Sequence, residues 1–319
     1  MTMTRWPGLI VISLLAGCST GGGAGQAEAH LPLHVAQMAT GDALARPFTY
    51  DAHSHEVAVQ ATIDGIARTF LIDTGVDPSA VDLAVARDHS LKQVGGHGEV
   101  EGVGKSTATA YPSIIPEISI GGERYGPLDV LVIDMSKLSA GYGAPLGGIL
   151  GYSLFKDHAI LIDYPTGQMT IFNGSAAREP SHCAKSYRFP LRFLSDDDHL
   201  ITVPGLKIGG TEIPAFIDTG SSNGLRIAID APATADIRAA LPEGRESTSV
   251  GARGTAAQRL AKLSTPVQLG PFTLDDADVA IVHGGSMPIG IGNRFFEALG
   301  ATLLVDIPAE KVGLFEGCR

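Results

Sequence analysis

The sequence predicts an all-β protein built as two similar lobes with a few short helices. Three observations carry that expectation. Landmarks in the first half recur in the same order in the second half. Short runs alternate apolar with polar residues, as half-buried strands do. Forty glycines and nineteen prolines supply the turns that such strands need. At 319 residues and 44% hydrophobic, the chain has the length of about two domains, at roughly 150 residues each, and enough apolar side chain to fill them. Charged residues are 18% and the net charge is −11, so the chain has little with which to neutralise phosphates, and no nucleic-acid partner is expected.

The elements follow in chain order. Residues 1–17 read as a sorting signal, with Arg5 ahead of an apolar run too short to span a bilayer. Its end, Leu15-Ala16-Gly17-Cys18, resembles the bacterial lipobox. That resemblance implies cleavage before Cys18, a diacylglycerol on its thiol, and a lipid-anchored place in the bacterial cell envelope, on the outer membrane or the periplasmic face. Ser19 gives no inner-membrane retention signal; the alternative is an ordinary secretory signal with an incidental Cys. Residues 18–45, rich in Gly and Ala, serve as a flexible tether or a short propeptide.

Lobe one is placed at 46–175, an interlobe linker at 176–185, and lobe two at 186–319. In lobe one, His55–Ile63 alternates, and Ala67–Ile72 is an apolar run that ends at Asp73-Thr74-Gly75. Lobe two repeats this with HLITVPGLKIGG and TEIPAFIDTG, the latter carrying Asp218-Thr219-Gly220. Further landmarks pair in order: Gly104 with Gly254, Gly121 with Gly270, Gly151 with Gly292, and LIDYPTGQMTIF with LVDIPAEKVGLF. Their offsets drift by only a few residues, as loop insertions and deletions in a duplicated domain would produce. Brief helices are expected at Ser79–Leu91 and at about Ala233–Leu241. Cys183 and Cys318 remain in the mature chain, in a compartment that permits disulfides, and either pair or stay as two buried thiols.

Two Asp-Thr-Gly triplets, each followed about 75 residues later by an apolar-Gly motif (Ile149-Leu150-Gly151 and Ile291-Gly292), resemble the pepsin-like and retropepsin-like aspartic proteases. The resemblance covers nearly all of the chain past the tether. It implies a bilobal acid-protease fold of two retropepsin-like β-barrel lobes and an aspartic endopeptidase activity. Asp73 and Asp218 would form the catalytic dyad, Thr74 and Thr219 would grip the opposite loops, and Gly75 and Gly220 would allow close backbone approach. The chemistry calls for such a pair. Two carboxylates a few ångströms apart cannot both ionise easily, so they share a proton and can hold and activate a water. Such a mechanism needs no metal and no cofactor, and the implied partner is an extended peptide or protein substrate. Since both aspartates lie in one chain, a monomer suffices.

The lobes differ after each triplet. Ser221 follows in lobe two and is expected to bond Asp218 and favour its ionised form, leaving Asp73 to carry the shared proton. In lobe one Val76 and Asp77 follow; Val76 cannot help in this way, and the charge of Asp77 is expected to raise the pKa values of the dyad. A less acidic pH optimum would follow. Val76 also keeps alive a second reading, a catalytically silent peptide-binding protein of the same fold. The Gly-rich stretch Gly95–Lys105, with Gly102, Val103 and Gly104 at its tip, has the composition of a flap over the dyad. Lobe two offers Val250–Gly254 as a second flap, or as a plain hairpin turn.

Three weaker patterns are set aside. Gly104-Lys105-Ser106 ends like a phosphate-binding loop, but Glu99 stands where the first Gly should be. Gly220-Ser221-Ser222-Asn223-Gly224, followed by Asp278 and His283, fits a serine-hydrolase elbow without the βα units that fold requires. His53 and His55 lack further ligands at metal spacing and read as surface histidines.

Overall fold

The computed structural model describes residues 55–101, 104, 108–174, 177–196, 198–284 and 287–318, with the strand backbones Ile10–Val11 and Phe48–Thr49. Cys18, His53, Gly102 and Val103 lie outside the described residues.

Lobe one is formed by β1 (Ala58–Ile63), β2 (Ile66–Ile72), β3 (Ser79–Asp82), β4 (Gly98–Glu101), β5 (Thr109–Ile115), β6 (Leu128–Ile133) and β7 (Leu146–Leu150). The helix expected from Ser79 starts late. Ser79–Asp82 is taken into the sheet between β6 and β7, and only Leu83–Asp88 (α1) is helical, capped by the Asp82 carboxylate, which accepts from Ala84 N at 2.8 Å. A second helix, α2 (Ser136–Tyr142), precedes β7, and α3 (Tyr152–Phe155) follows it. The alternation in β1 places Val57, Val59, Ala61 and Ile63 in the core, while Gln60 points out and bonds Thr69.

β8 (His158–Asp163) and β9 (Gln168–Asn173) complete the first half, and β10 (Lys185–Pro190) follows the linker. Lobe two has β11 (Asp198–Val203), β12 (Ala215–Ile217), β13 (Leu225–Ala228), β14 (Arg245–Gly251), β15 (Gly254–Leu263), β16 (Ala277–Val282) and β17 (Ile289–Ile291). The helix expected near Ala233–Leu241 is a 3-10 segment, Pro232–Ala240. The chain ends with α4 (Asn293–Leu299), β18 (Ala301–Asp306) and β19 (Lys311–Glu316).

The duplication read from the sequence is visible in sheet order. Lobe one runs β1-β2-β7-β3-β6-β5-β4 and lobe two runs β11-β12-β17-β13-β16-β15-β14, element for element. A third sheet, β10-β19-β18-β8-β9 with Phe48–Thr49 at its edge, joins the lobes. At its centre β8 pairs antiparallel with its own counterpart β18, and Leu161 stands opposite Leu304, the residue that matches it in the repeat. Equivalent residues facing one another mark a pseudo-twofold axis through that pair.

This joining sheet is buried on both faces. Ile160, Ile162, Leu303 and Val305 look into the main core, while Ala159, Leu161, Leu304 and Phe315 form a separate cluster on the other face. Full burial of each large aliphatic side chain is worth about 1.5–3 kcal/mol. Cys183 and Cys318 pack on that outer cluster and are joined by a disulfide.

Candidate active site

Strand pairing aims both Asp-Thr-Gly turns at the same point. Asp73 N donates to Leu150 O at 2.9 Å as β2 leaves β7, and Asp218 N donates to Ile291 O at 2.9 Å as β12 leaves β17. The apolar-Gly segment thus runs directly behind each aspartate. Only glycine fits at its end: a Cβ on Gly151 would lie 2.3 Å from Val76 O, and one on Gly292 would lie 2.3 Å from Asn223 O.

The two threonines lock the turns reciprocally. Thr74 N donates to Thr219 Oγ1 at 3.0 Å and Thr219 N to Thr74 Oγ1 at 3.2 Å. Each hydroxyl then donates across the lobes, Thr74 Oγ1 to Ile217 O and Thr219 Oγ1 to Ile72 O, both at 3.0 Å. All four bonds are buried and obey the same pseudo-twofold. Asn293 extends the network, its Nδ2 donating to Thr219 O at 2.8 Å and to His55 O at 2.9 Å, while Tyr164 donates to its Oδ1 at 2.7 Å.

Asp73 and Asp218 are both 0% exposed. A methyl group on Gly75 would touch both carboxylates, at 3.1 Å from Asp73 Oδ1 and 3.2 Å from Asp218 Oδ1. One on Gly220 would fall 2.1 Å from Asp73 Oδ2. Burial pushes the Asp73 carboxyl up to about 7, opposed by the Gly75 and Gly220 N–H groups and by Asp218. Asp218 lies well above the ordinary carboxylate range, through burial first and the charge of Asp73 second, with Arg226 pulling the other way. Such a pair titrates as a unit and holds one proton between two oxygens of different lobes.

The family model described as Aspartyl protease matches residues 59–154 and 205–295, one match per lobe and one Asp-Thr-Gly in each. The chain belongs to the aspartyl protease family. A search of curated proteins finds no relative.

Within this aspartyl protease, two expectations about the dyad are corrected. Ser221 does not bond Asp218: its hydroxyl accepts from Asn223 N at 3.4 Å and Asn223 Nδ2 at 3.5 Å. Asp73 instead accepts from Gly75 N at 2.7 Å. The Gly220 N–H favours the ionised form of both, but the bond between the carboxyls lowers Asp73 and raises Asp218, which assigns the shared proton to Asp218, the reverse of the expectation. Asp77 faces away to the other lobe, where its carboxylate meets His199 Nδ1 at 2.5 Å beneath the stacked ring of Tyr152. The carboxyl that does feel the pair is Glu56, 3% exposed, which burial and the charge of Asp73 raise to about 8, so it stays protonated at neutral pH.

The hairpin tips meet. Gly104 bridges Arg253, with φ +114° and no room for a Cβ, which would lie 2.3 Å from Arg253 C. Ala252, on the lobe-two tip, packs in the lobe-one cluster that holds Val76, Leu131 and Leu146. The Val250–Gly254 segment is therefore more than a hairpin turn. Tyr111 is half-buried against the core, its ring edge-on to His97. His55 is not a free surface histidine; it pairs with Glu297 at 2.7 Å. The serine-hydrolase pattern is not assembled, since His283 bonds Asp230 and Asp278 is held by Lys262. Glu56 and Arg226 were missed by reading motifs. Both stand where the opposite lobe carries an apolar residue, Leu200 and Ala80, so aligning the repeats residue by residue would have found them.

Proposed function

We propose that this chain is an aspartic endopeptidase that hydrolyses peptide bonds of an extended peptide or protein. The observation that carries the reading is the pair of buried carboxylates, one from each lobe, held face to face by the reciprocal threonine bonds. With one proton on the pair, Asp73 takes a proton from a water held between the carboxylates, and that water attacks the peptide carbonyl. Asp218 donates its proton to the carbonyl oxygen, and the tetrahedral intermediate collapses with protonation of the leaving amine. Val76 fits the active reading: its carbonyl accepts from Tyr152 N at 2.9 Å as the Ser221 carbonyl accepts from Asn293 N at 2.9 Å, so the turn has the same geometry in both lobes. We also propose that Cys18 carries a lipid and holds the enzyme on the cell envelope as a monomer.

The test is cleavage of a diverse peptide library by the chain from residue 19 onward. Asp73→Asn and Asp218→Asn should each lower kcat/KM by about a thousandfold or more, and a statine-type inhibitor should block the wild type. Cleavage that survives both substitutions would sink the dyad. For the anchor, Cys18→Ala should move the full chain from the membrane fraction to the soluble fraction.

A further inference from the structure

The sequence repeat makes the two walls of the cleft comparable position by position, and they differ in kind. In lobe one, Ala80 of β3 lies opposite Ile149 and Leu131, and Ala110 precedes Tyr111 on β5. Ala80, Ala110, Leu131 and Ile149 belong to one apolar cluster with Val76 and Ile133. In lobe two the position of Ala80 is taken by Arg226, opposite Gly290 and Ala280. The position of Ala110 is taken by Gln258, opposite Val282.

Strand parity turns both away from the core. Leu225, Ile227, Val279 and Ile281 fill the core, so Arg226, Ala280, Val282 and Gln258 occupy the opposite face. That is the side of Asp218, whose carboxyl feels the charge of Arg226. The floor between the two polar residues is apolar, made of Ala228, Ala280, Val282 and Gly290. Gln258 is 4% exposed, and neither its Oε1 nor its Nε2 has a hydrogen-bond partner; Arg226 Nε is likewise buried and unpartnered. Buried amide and guanidinium groups are as a rule hydrogen-bonded, to protein, to water or to a bound group.

We infer that the lobe-two wall is a subsite for an acidic side chain, with Arg226 pairing the carboxylate and the Gln258 amide donating to it, while the lobe-one wall takes an apolar side chain. The preferred substrate then carries an apolar residue on one side of the cut and a Glu or Asp at the matching position on the other. A guanidinium offers a planar fork that suits a carboxylate, and a site built to bond a polar group discriminates strongly against a substrate that lacks it.

This inference rests on the peptidase reading, and one experiment separates the two. The library cleavage products are sequenced, and matched peptides carrying Glu, Gln or Leu at the selected position are compared in wild type, Arg226→Leu and Gln258→Glu. The expected result is enrichment of Glu or Asp at one position on one side of the cut and of apolar residues at the matching position on the other side. The Glu-over-Gln ratio of kcat/KM should be about tenfold or more in wild type and fall to about one in Arg226→Leu. Gln258→Glu, which puts a carboxylate in the same place, should reverse the preference. It also serves if the arginine variant does not fold. Cleavage by wild type without acidic preference would overturn this inference and leave the peptidase reading standing. A preference that survives both variants would overturn it too. No cleavage by folded wild type would overturn both.

Discussion

Glu56 and Asp73 are carboxyls that folding moves from water into the centre of the molecule, and both release their protons late. Their ordinary values of 4.5 and 3.8 rise to about 8 and about 7. The folded chain therefore binds protons that the unfolded chain has already lost in this interval. Their contribution to stability is full below about pH 4 and lost as pH rises through 7 and 8. The melting temperature of the chain should fall between pH 5.5 and pH 8.5 at fixed ionic strength. Glu56→Gln should flatten that slope and raise the melting temperature at pH 8.5; scanning calorimetry reads both, and a melting temperature that climbs with pH would contradict the assignment. On the peptidase reading proposed above, the same directions set the activity profile. Asp73 must be ionised and Asp218 protonated, so kcat/KM should climb through about pH 7 and fall once Asp218 ionises. An optimum below about pH 3.5 would count against it. The aspartates were legible from their motifs; the order of their acidities was not. Ser221 carries the right hydroxyl, but the rotamer that sends it to Asn223 is set by packing that one sequence does not display.

At the level of strands and turns, the threonine pair is the joint on which the site depends. Thr219→Ala leaves the Thr74 N–H and the Ile72 carbonyl buried without partners, at a cost of about 1–3 kcal/mol for each group. Urea denaturation should show that loss, and Thr219→Ser, which keeps the hydroxyl, should recover most of it. Full stability in Thr219→Ala would mean that water or a shifted loop replaces the bonds. Gly220→Ala tests the same joint from the other side, since its Cβ has no place beside Asp73 Oδ2. The strands leading into both triplets were legible because Val57, Val59, Ala61 and Ile63 do share the core face, although Glu56 and Ala58 between them are buried as well. The helix after Asp73 was overestimated for a physical reason. Ser79–Asp82 gains two strand neighbours, β6 and β7, and that tertiary pairing outweighs local helical preference.

Across the whole molecule, the repeat carried most of the fold. Offsets between landmarks gave two lobes, and the sheets have the same strand order in both. The joining sheet was not legible, because nothing in either copy alone says that β8 pairs with β18 and not with a strand of its own lobe. The disulfide was left open between bonded and free. Its closure links residues 135 apart and fastens the outer cluster of the joining sheet. Cys318→Ser should cost about 2–5 kcal/mol, read as a lower melting temperature under non-reducing conditions. No change would show that the sheet needs no fastening.

The axis through Leu161 and Leu304 has a consequence for the covalent chain itself. Each half contributes one aspartate, one threonine and matching strands of the joining sheet, so the peptide between them is a tie and not part of the machine. Ser181 and His182 are exposed on that tie. A single protease nick between them would leave two fragments held by hydrogen bonds and packed cores alone, since Cys183 and Cys318 both fall in the second fragment. The nicked protein should elute as one species on gel filtration, part into two bands on a denaturing gel even without reductant, and keep the hydrolytic rate proposed for the intact chain, behaving as a heterodimer made from one gene product.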